Sequence, residues 1–153
     1  MTNSDKFDRE TVVEERNSFY RVYKLISLIM ALTFALVGLI FLFMADGVLI
    51  FFNELSKQLG MMPAPVAGTD FYLVLAVAYM YVVTLLAFKM YRQPENRQYP
   101  VLLINAKTAS SVLSILLFIF QQPYLLYITN AIADGSIALF LWLLLLKPGQ
   151  TRQ

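Results

Sequence analysis

The sequence predicts an all-α, polytopic membrane protein: a bundle of four transmembrane helices with an interfacial amphipathic helix in the first outer loop. Three observations predict this fold class. Of the 153 residues, 59% are hydrophobic and only 14% are charged, whereas soluble domains carry about 25% charged residues. The mean hydropathy is +0.63. The apolar residues are concentrated in four runs, each long enough to cross about 30 Å of hydrocarbon at about 1.5 Å per residue.

These four runs divide the chain into a membrane domain with a short segment at each end. The spans are predicted at about 22–45, 71–90, 100–120 and 124–146, with an N-terminal segment at 1–21 and a tail at 147–153. A sheet of four strands is excluded, because unpaired strand edges cannot face lipid. The first span is not a cleaved signal peptide, since its apolar stretch exceeds the roughly 7–15 residues of such a peptide and acidic residues precede it.

The distribution of lysine and arginine predicts the orientation in the membrane. These residues are concentrated before the first span, with Lys24 at its edge, between the second and third spans, and after the fourth. They are Lys6, Arg9, Arg16, Arg21, Lys24, Lys89, Arg92, Arg97, Lys147 and Arg152. The two other connections hold only Lys57. Positive charge accumulates on the cytoplasmic side of membrane proteins. We therefore expect a multi-pass protein of the plasma (inner) membrane with both termini in the cytoplasm.

The segment before the first span contains a helix-start signal. Thr11 and Glu14 have the spacing of a capping box, in which the two side chains satisfy exposed amides at a helix N-terminus. Two interpretations stay open: a frayed, solvated lead-in, or a helix that begins near Thr11 and continues into the membrane. The residues before Thr11 are expected to be disordered, being polar and near a terminus.

The loop from Asp46 to Asp70 is the longest connection, and its first half has a helical apolar period. The apolar positions are Val48, Phe51, Phe52, Leu55 and Leu59, and the polar positions predicted to face water are Asn53, Glu54, Lys57 and Gln58. This pattern is typical of a helix lying in the membrane interface. The second half, Met61–Thr69, is rich in proline and glycine and is predicted to be an irregular loop.

Two ionisable residues lie deep inside the predicted spans. Counted from Arg97, Lys107 is ten residues into the third span, about 15 Å along the helix. Counted from Lys147, Asp134 is thirteen residues into the fourth span, about 20 Å along it. In antiparallel neighbours the two lie at nearly the same depth, where opposite charges reduce each other's cost. We therefore predict a Lys107–Asp134 ion pair.

Polar and small side chains surround this predicted pair. The predicted intramembrane polar cluster consists of Lys107, Asp134, Asn130, Asn105, Ser111 and Ser114. Small residues that allow close helix packing recur at four-residue spacing, namely Ala31 and Ala35, Ala106, Ser110 and Ser114, and Ala131 and Gly135. Two interpretations of the pair stay open: it fixes the helix register, or it handles protons or a ligand. Alternatively, Lys107 extends toward the inner face and leaves Asp134 protonated.

The composition excludes several function classes. Because the chain has no cysteine and no histidine, thiolate or His-built metal sites, His-ligated haem and Cys or His catalysis are not expected, and we predict no metal and no cofactor. A net charge of +2 is too small to indicate nucleic-acid binding.

One motif invites an enzymatic interpretation. The segment Asn130-Ala-Ile-Ala-Asp134 is similar to the Asn-x-Ala-Asp element of lipoprotein signal peptidases, which are small four-span enzymes. That resemblance implies a catalytic carboxylate pair. The spacing is one residue longer here, the Gly-Asn-x-x-Asp-Arg element is missing, and the other candidate, Asp46, is predicted to lie about 15 Å nearer the outer surface. We therefore predict no enzymatic activity.

The general plan resembles DoxX-like small membrane proteins, which have four spans, an amphipathic outer segment after the first span and a basic inner loop. The resemblance covers most of the chain in outline and implies the same fold and an association with membrane-bound complexes. Two function classes follow. The favoured one is a non-catalytic accessory or assembly subunit, whose partners are the lipid bilayer and other membrane proteins or a second copy. The alternative is a carrier or channel for protons, ions or a small amphiphile that uses the polar seam of Lys107 and Asp134.

Overall fold

The computed structural model describes residues 3–66 and 70–146, with side chains for 18–66 and 72–146. It contains four helices, α1 (Asn3–Gln58), α2 (Asp70–Arg92), α3 (Gln98–Phe120) and α4 (Leu125–Leu146), and the described residues form no strand. All four helices are long and apolar enough to cross a membrane. The prediction of an all-α protein with four spanning helices is confirmed, and α2, α3 and α4 begin and end within two residues of the predicted spans. The predicted tail at 147–153 lies outside the described residues.

Helix α1 differs from the prediction because it joins three predicted segments. Its part from Ser18 to Gln58 has 41 residues, about 60 Å if straight, twice what a span needs. The backbone departs from helical dihedral angles at Met44 (φ −136°, ψ 31°), one residue before the predicted end of the first span. The predicted interfacial helix is therefore the portion of α1 after this kink.

The N-terminal part of α1 also corrects an expectation. The helix begins at Asn3, so the prediction of disorder before Thr11 is wrong. The physical reason is that extending an existing helix requires no new nucleus, whereas starting one does. The capping-box side chains of Thr11 and Glu14 lie outside the described side chains.

The bundle consists of two helical hairpins. Helix α1 packs along α2, and α3 packs along α4; α2 and α3 contact each other less, and α1 and α4 contact each other only slightly. The backbones approach closely within the first hairpin, because a Cβ at Gly38 would lie 3.1 Å from the Cβ of Met80. Glycine at this position is what lets α1 and α2 pack so tightly.

Among the side chains that the structure describes, the centre of the bundle is apolar apart from a few hydroxyl groups and one ion pair. The buried apolar residues of this core are Tyr23, Ala31, Phe34, Met80, Val83, Ala87, Met90, Leu103 and Leu141. Large apolar side chains also cover the outside, for example Phe43, Val74, Leu113 and Leu143. An apolar exterior around a partly polar interior is the arrangement that a bilayer requires.

The connection between α1 and α2 is held by side chain–backbone hydrogen bonds. The Asn53 side chain donates to the carbonyl oxygen of Ala64 over 2.9 Å and accepts from its amide over 2.8 Å. At the end of α1, Gly60 has φ +67°, and the Met61 amide donates to the Ser56 carbonyl over 2.8 Å. Such a left-handed glycine is a common helix terminator. Asn53 was predicted to face water, and that is wrong: it binds the following loop.

The apolar face of the portion of α1 after the kink is partly exposed. Phe51, Leu55 and Leu59 are exposed, whereas Phe52 is half-buried. The amphipathic helix was predicted from the spacing of apolar residues in this segment, and the exposed apolar side chains on this face agree with that spacing. Its location in the membrane interface stays a prediction.

Candidate functional site

The ion pair predicted from the depth of the two charges is present. Lys107 of α3 donates a 2.7 Å hydrogen bond from Nζ to Oδ1 of Asp134 on α4. The two side chains are only 3% and 7% exposed. A lone charge at this depth is costly, so mutual neutralisation is the condition under which both can be buried.

Two aromatic rings complete the surroundings of the ammonium group. Nζ of Lys107 lies 4.6 Å from the centre of the Phe34 ring of α1 and 5.1 Å from that of Tyr79 of α2. Both distances are within the range at which a cation is attracted to a ring face. All four helices therefore meet at one ammonium group. We call Phe34, Tyr79 and Asp134, the three residues around this group, the ammonium cage.

The tyrosine of the ammonium cage is itself held in place. Its hydroxyl group donates a 3.2 Å hydrogen bond to the carbonyl oxygen of Ala106, the residue before Lys107. This bond joins α2 to α3, the two helices at the junction of the two hairpins. It therefore fixes the Tyr79 ring relative to the lysine that it faces.

One polar atom of the site has no partner among the described residues. Oδ2 of Asp134 is buried and accepts no hydrogen bond. The other partner, the ammonium group of Lys107, has three N–H donors. Within the described part of the chain it donates one hydrogen bond, the one to Oδ1. Buried carboxylate oxygens are normally hydrogen-bonded, so Oδ2 is the unusual feature of the site.

A second layer of hydrogen bonds joins α3 to α4 between the ion pair and the connection of these two helices. The Asn130 amide donates to the hydroxyl groups of Ser114 over 2.8 Å and Ser110 over 3.2 Å. Ser111 donates to the carbonyl oxygen of Ala131 over 2.8 Å. Each hydrogen bond between membrane helices contributes about 0.6 kcal/mol on average. Together with the ion pair, they form a polar seam along α3 and α4.

Five of the six predicted cluster residues lie along this seam, and Asn105 does not. Its side chain is exposed, whereas Lys107 is buried. The reason is helical geometry: residues two positions apart point about 200° away from each other. Asp46, the residue weighed as a second carboxylate, is exposed at the kinked part of α1, in contrast to the buried Asp134.

Phe34 and Tyr79 were not predicted as site residues, although the sequence contains a signal for both. Phe34 lies thirteen residues after Arg21, Tyr79 thirteen residues before Arg92, and Asp134 thirteen residues before Lys147. Each of these basic residues lies at the predicted inner end of its span. Residues that are equally many positions from the end of their spans are predicted to lie at equal depth, because α-helices have the same rise per residue. The count that gave the depth of Asp134 therefore also gives the depth of Phe34 and Tyr79.

An open groove of about 350 Å³ lies between α3 and α4. Its lining residues are Ile104, Thr108, Ser111, Val112, Gly135, Ala138, Leu139 and Trp142. Lys107 and Asp134 are not among them. The helices approach closely at the groove, because a Cβ at Gly135 would lie 3.0 Å from Oγ of Ser111.

Comparison with known proteins gives no family model that matches the chain and no significant similarity to a curated protein or a solved structure. The resemblance in outline to DoxX-like proteins therefore carries no argument about function.

Proposed function

We propose that this multi-pass membrane protein is a non-catalytic accessory or assembly subunit that acts by associating with other membrane proteins. One observation carries the proposal: Lys107 and Asp134 are buried and directed at each other, with 2.7 Å between Nζ and Oδ1. Charges in this arrangement neutralise each other between α3 and α4 and fix the register of the two helices, instead of lining an aqueous path. The polar seam is then a structural element, and the outer surface is the functional one.

The groove between α3 and α4 supports this proposal. Its lining includes Gly135, Ala138 and Ser111, and small residues allow another helix backbone to approach closely. Thr108 adds an exposed hydroxyl group to the same surface. A transmembrane helix of another membrane protein, or of a second copy, is the partner that such a surface suits.

The orientation belongs to the same proposal. The basic residues at the ends of α2 and α3, Lys89, Arg92 and Arg97, support a cytoplasmic location for the connection between these helices. Both termini are then cytoplasmic and the loop that Asn53 binds is external. In a bacterial cell the membrane concerned is the plasma (inner) membrane.

A pair of neighbouring substitutions tests the subunit role. Val112 lines the groove, whereas Leu113 is exposed outside it. Tagged Val112→Trp, Leu113→Trp and unaltered protein are purified from native membranes in mild detergent, and stoichiometric complexes are measured by native mass spectrometry. We expect a defined complex that Val112→Trp loses and Leu113→Trp keeps. A chain that purifies without a stoichiometric partner in all three forms contradicts the proposal.

A second candidate function is a proton or ion carrier, and Asp134 Oδ2 favours it. This oxygen is buried and has no hydrogen-bond partner among the described residues, and ionisable residues inside spans are typical of proton and ion pathways. Reconstituted alone in vesicles, a subunit conducts nothing, whereas a carrier conducts protons down an imposed gradient. A proton flux that Asp134→Asn abolishes and Asn105→Ala preserves would favour the carrier over the subunit.

A further inference from the structure

We infer that the ammonium cage of Phe34, Tyr79 and Asp134 is a binding site for primary alkylammonium ions, and that its resident ligand is the side chain of Lys107. This inference is independent of the subunit role proposed above. The inference assigns a ligand class to the ammonium cage. It treats the Lys107 side chain as the bound ligand and the three cage residues as the walls of the site.

The first step is the origin of the walls. Phe34 belongs to α1, Tyr79 to α2 and Asp134 to α4, while Lys107 alone belongs to α3. Phe34 and Asp134 are buried, and the Tyr79 ring is fixed by its hydrogen bond to the Ala106 backbone. None of these walls depends on a covalent link to the ammonium group. Removal of the lysine side chain therefore leaves a cavity with one carboxylate and two ring faces.

The second step is the chemistry of the walls. Ring faces attract a cation without requiring a hydrogen-bond donor in a particular direction, whereas a carboxylate oxygen requires an N–H group. Oδ1 of Asp134 accepts from Lys107, and Oδ2 is buried and has no hydrogen-bond partner within the described part of the chain. A primary ammonium has three N–H groups and is compact, while a quaternary ammonium has none and a guanidinium is planar and wider. The site is therefore selective for primary ammonium ions.

The third step defines the free ligand. Shortening Lys107 to alanine deletes three methylene groups and the ammonium, which correspond to n-propylammonium. Cavities made by truncating buried side chains bind small molecules of the deleted shape. Binding to the folded state raises the melting temperature as the ligand concentration exceeds its Kd.

The test measures thermal stability of the full chain in detergent at pH 7. We expect Lys107→Ala to melt below the unaltered protein, and n-propylammonium to raise its melting temperature by about 4 °C. The unaltered protein, whose cage is filled, should not respond. Equal concentrations of tetramethylammonium and of n-propanol serve as controls for charge and for shape, and neither should stabilise Lys107→Ala. The rescue should disappear in Lys107→Ala/Asp134→Asn and in Lys107→Ala/Phe34→Leu.

Failure of n-propylammonium to stabilise a folded Lys107→Ala protein overturns the inference, as does equal stabilisation by n-propanol. If Lys107→Ala does not fold, Lys107→Met provides the deciding comparison, because it keeps the shape of the side chain without its charge. Phe34→Leu should then lower the melting temperature more in the unaltered protein than in Lys107→Met. Equal losses in the two backgrounds show that the ring does not bind the ammonium, and also overturn the inference.

Discussion

Lys107 and Asp134 are 27 residues apart in the sequence, and their side chains form a buried ion pair with a 2.7 Å hydrogen bond. The pair lies where the two hairpins meet, since Phe34 and Tyr79 of the first hairpin contact the same ammonium group. Helices α1 and α4 otherwise contact each other little. The ammonium group is thus a direct link between elements that share few other contacts.

The first prediction concerns the coupling within this pair. Removal of one partner of a buried ion pair leaves an uncompensated charge and costs about 3–5 kcal/mol in soluble proteins. We expect the double variant Lys107→Met/Asp134→Leu to melt in detergent at or above the temperature of either single variant. Each single variant should melt below the unaltered protein, because it leaves one buried group of the pair without its counterion. Additive losses in the double variant would show that the two charges are not coupled.

The pair was predictable from the sequence because charged residues in a span are few and their depth can be counted. Lys107 and Asp134 stand out in apolar helices, and the basic residues at the span ends provide the reference. Phe34 and Tyr79 are harder to identify, because aromatic residues are common in spans and depth alone does not determine which side of a helix faces the core. The spacing of apolar residues shows which side of a helix faces the core only when one side is polar. In these spans nearly every side of the helix is apolar.

The two corrections near the helix ends have a similar cause. Polarity alone assigned Asn53 to water, although an amide side chain can equally satisfy the backbone of a nearby loop, as it does at Ala64. The kink at Met44 marks the boundary that was expected between two helices. A composition change near Ala45 predicts where the span ends, but it does not tell whether the helix stops or bends there.

The second prediction concerns orientation in the membrane. Because the chain has no cysteine, single cysteines introduced at exposed positions report the side of the membrane. Met62 is exposed in the loop after α1, and Gln93 is exposed in the connection after α2. In intact cells, a membrane-impermeant maleimide should label Met62→Cys and not Gln93→Cys, because the basic residues near Gln93 favour the cytoplasm. Both should react after the cells are opened, and the reverse pattern in intact cells would contradict the proposed orientation.

The third prediction concerns the loop that Asn53 binds. Asn53→Ala removes two hydrogen bonds to the backbone of Ala64, each contributing about 1 kcal/mol. We expect faster hydrogen exchange at the amides of residues 61–66 and a slightly lower melting temperature. Glu54→Ala is the matched control, because Glu54 pairs with Lys57 at the surface, where an ion pair contributes little. Similar exchange in the two variants would show that Asn53 does not hold the loop.

The last prediction concerns the close approach of α3 and α4 at Gly135. A Cβ added at Gly135 would lie 3.0 Å from Oγ of Ser111 and 3.8 Å from Cβ of the same residue. The hydroxyl group therefore causes the steric conflict, while the Cβ contact is an ordinary van der Waals distance. We expect Gly135→Ala to lower the melting temperature, by an amount corresponding to about 1–3 kcal/mol for an overpacked position.

The same substitution should cost less when Ser111 is already alanine. Ser111→Ala removes the conflicting oxygen and also the hydrogen bond to the Ala131 carbonyl, so the single variant has its own penalty. In a double-mutant cycle, the loss caused by Gly135→Ala should therefore be smaller in Ser111→Ala than in the unaltered protein. Ser136→Ala, at an exposed neighbouring position, is the control background and should leave the loss unchanged. If Gly135→Ala costs the same in all three backgrounds, the helices are not limited by the contact between Ser111 and Gly135, and the α3–α4 distance must be determined elsewhere along the seam.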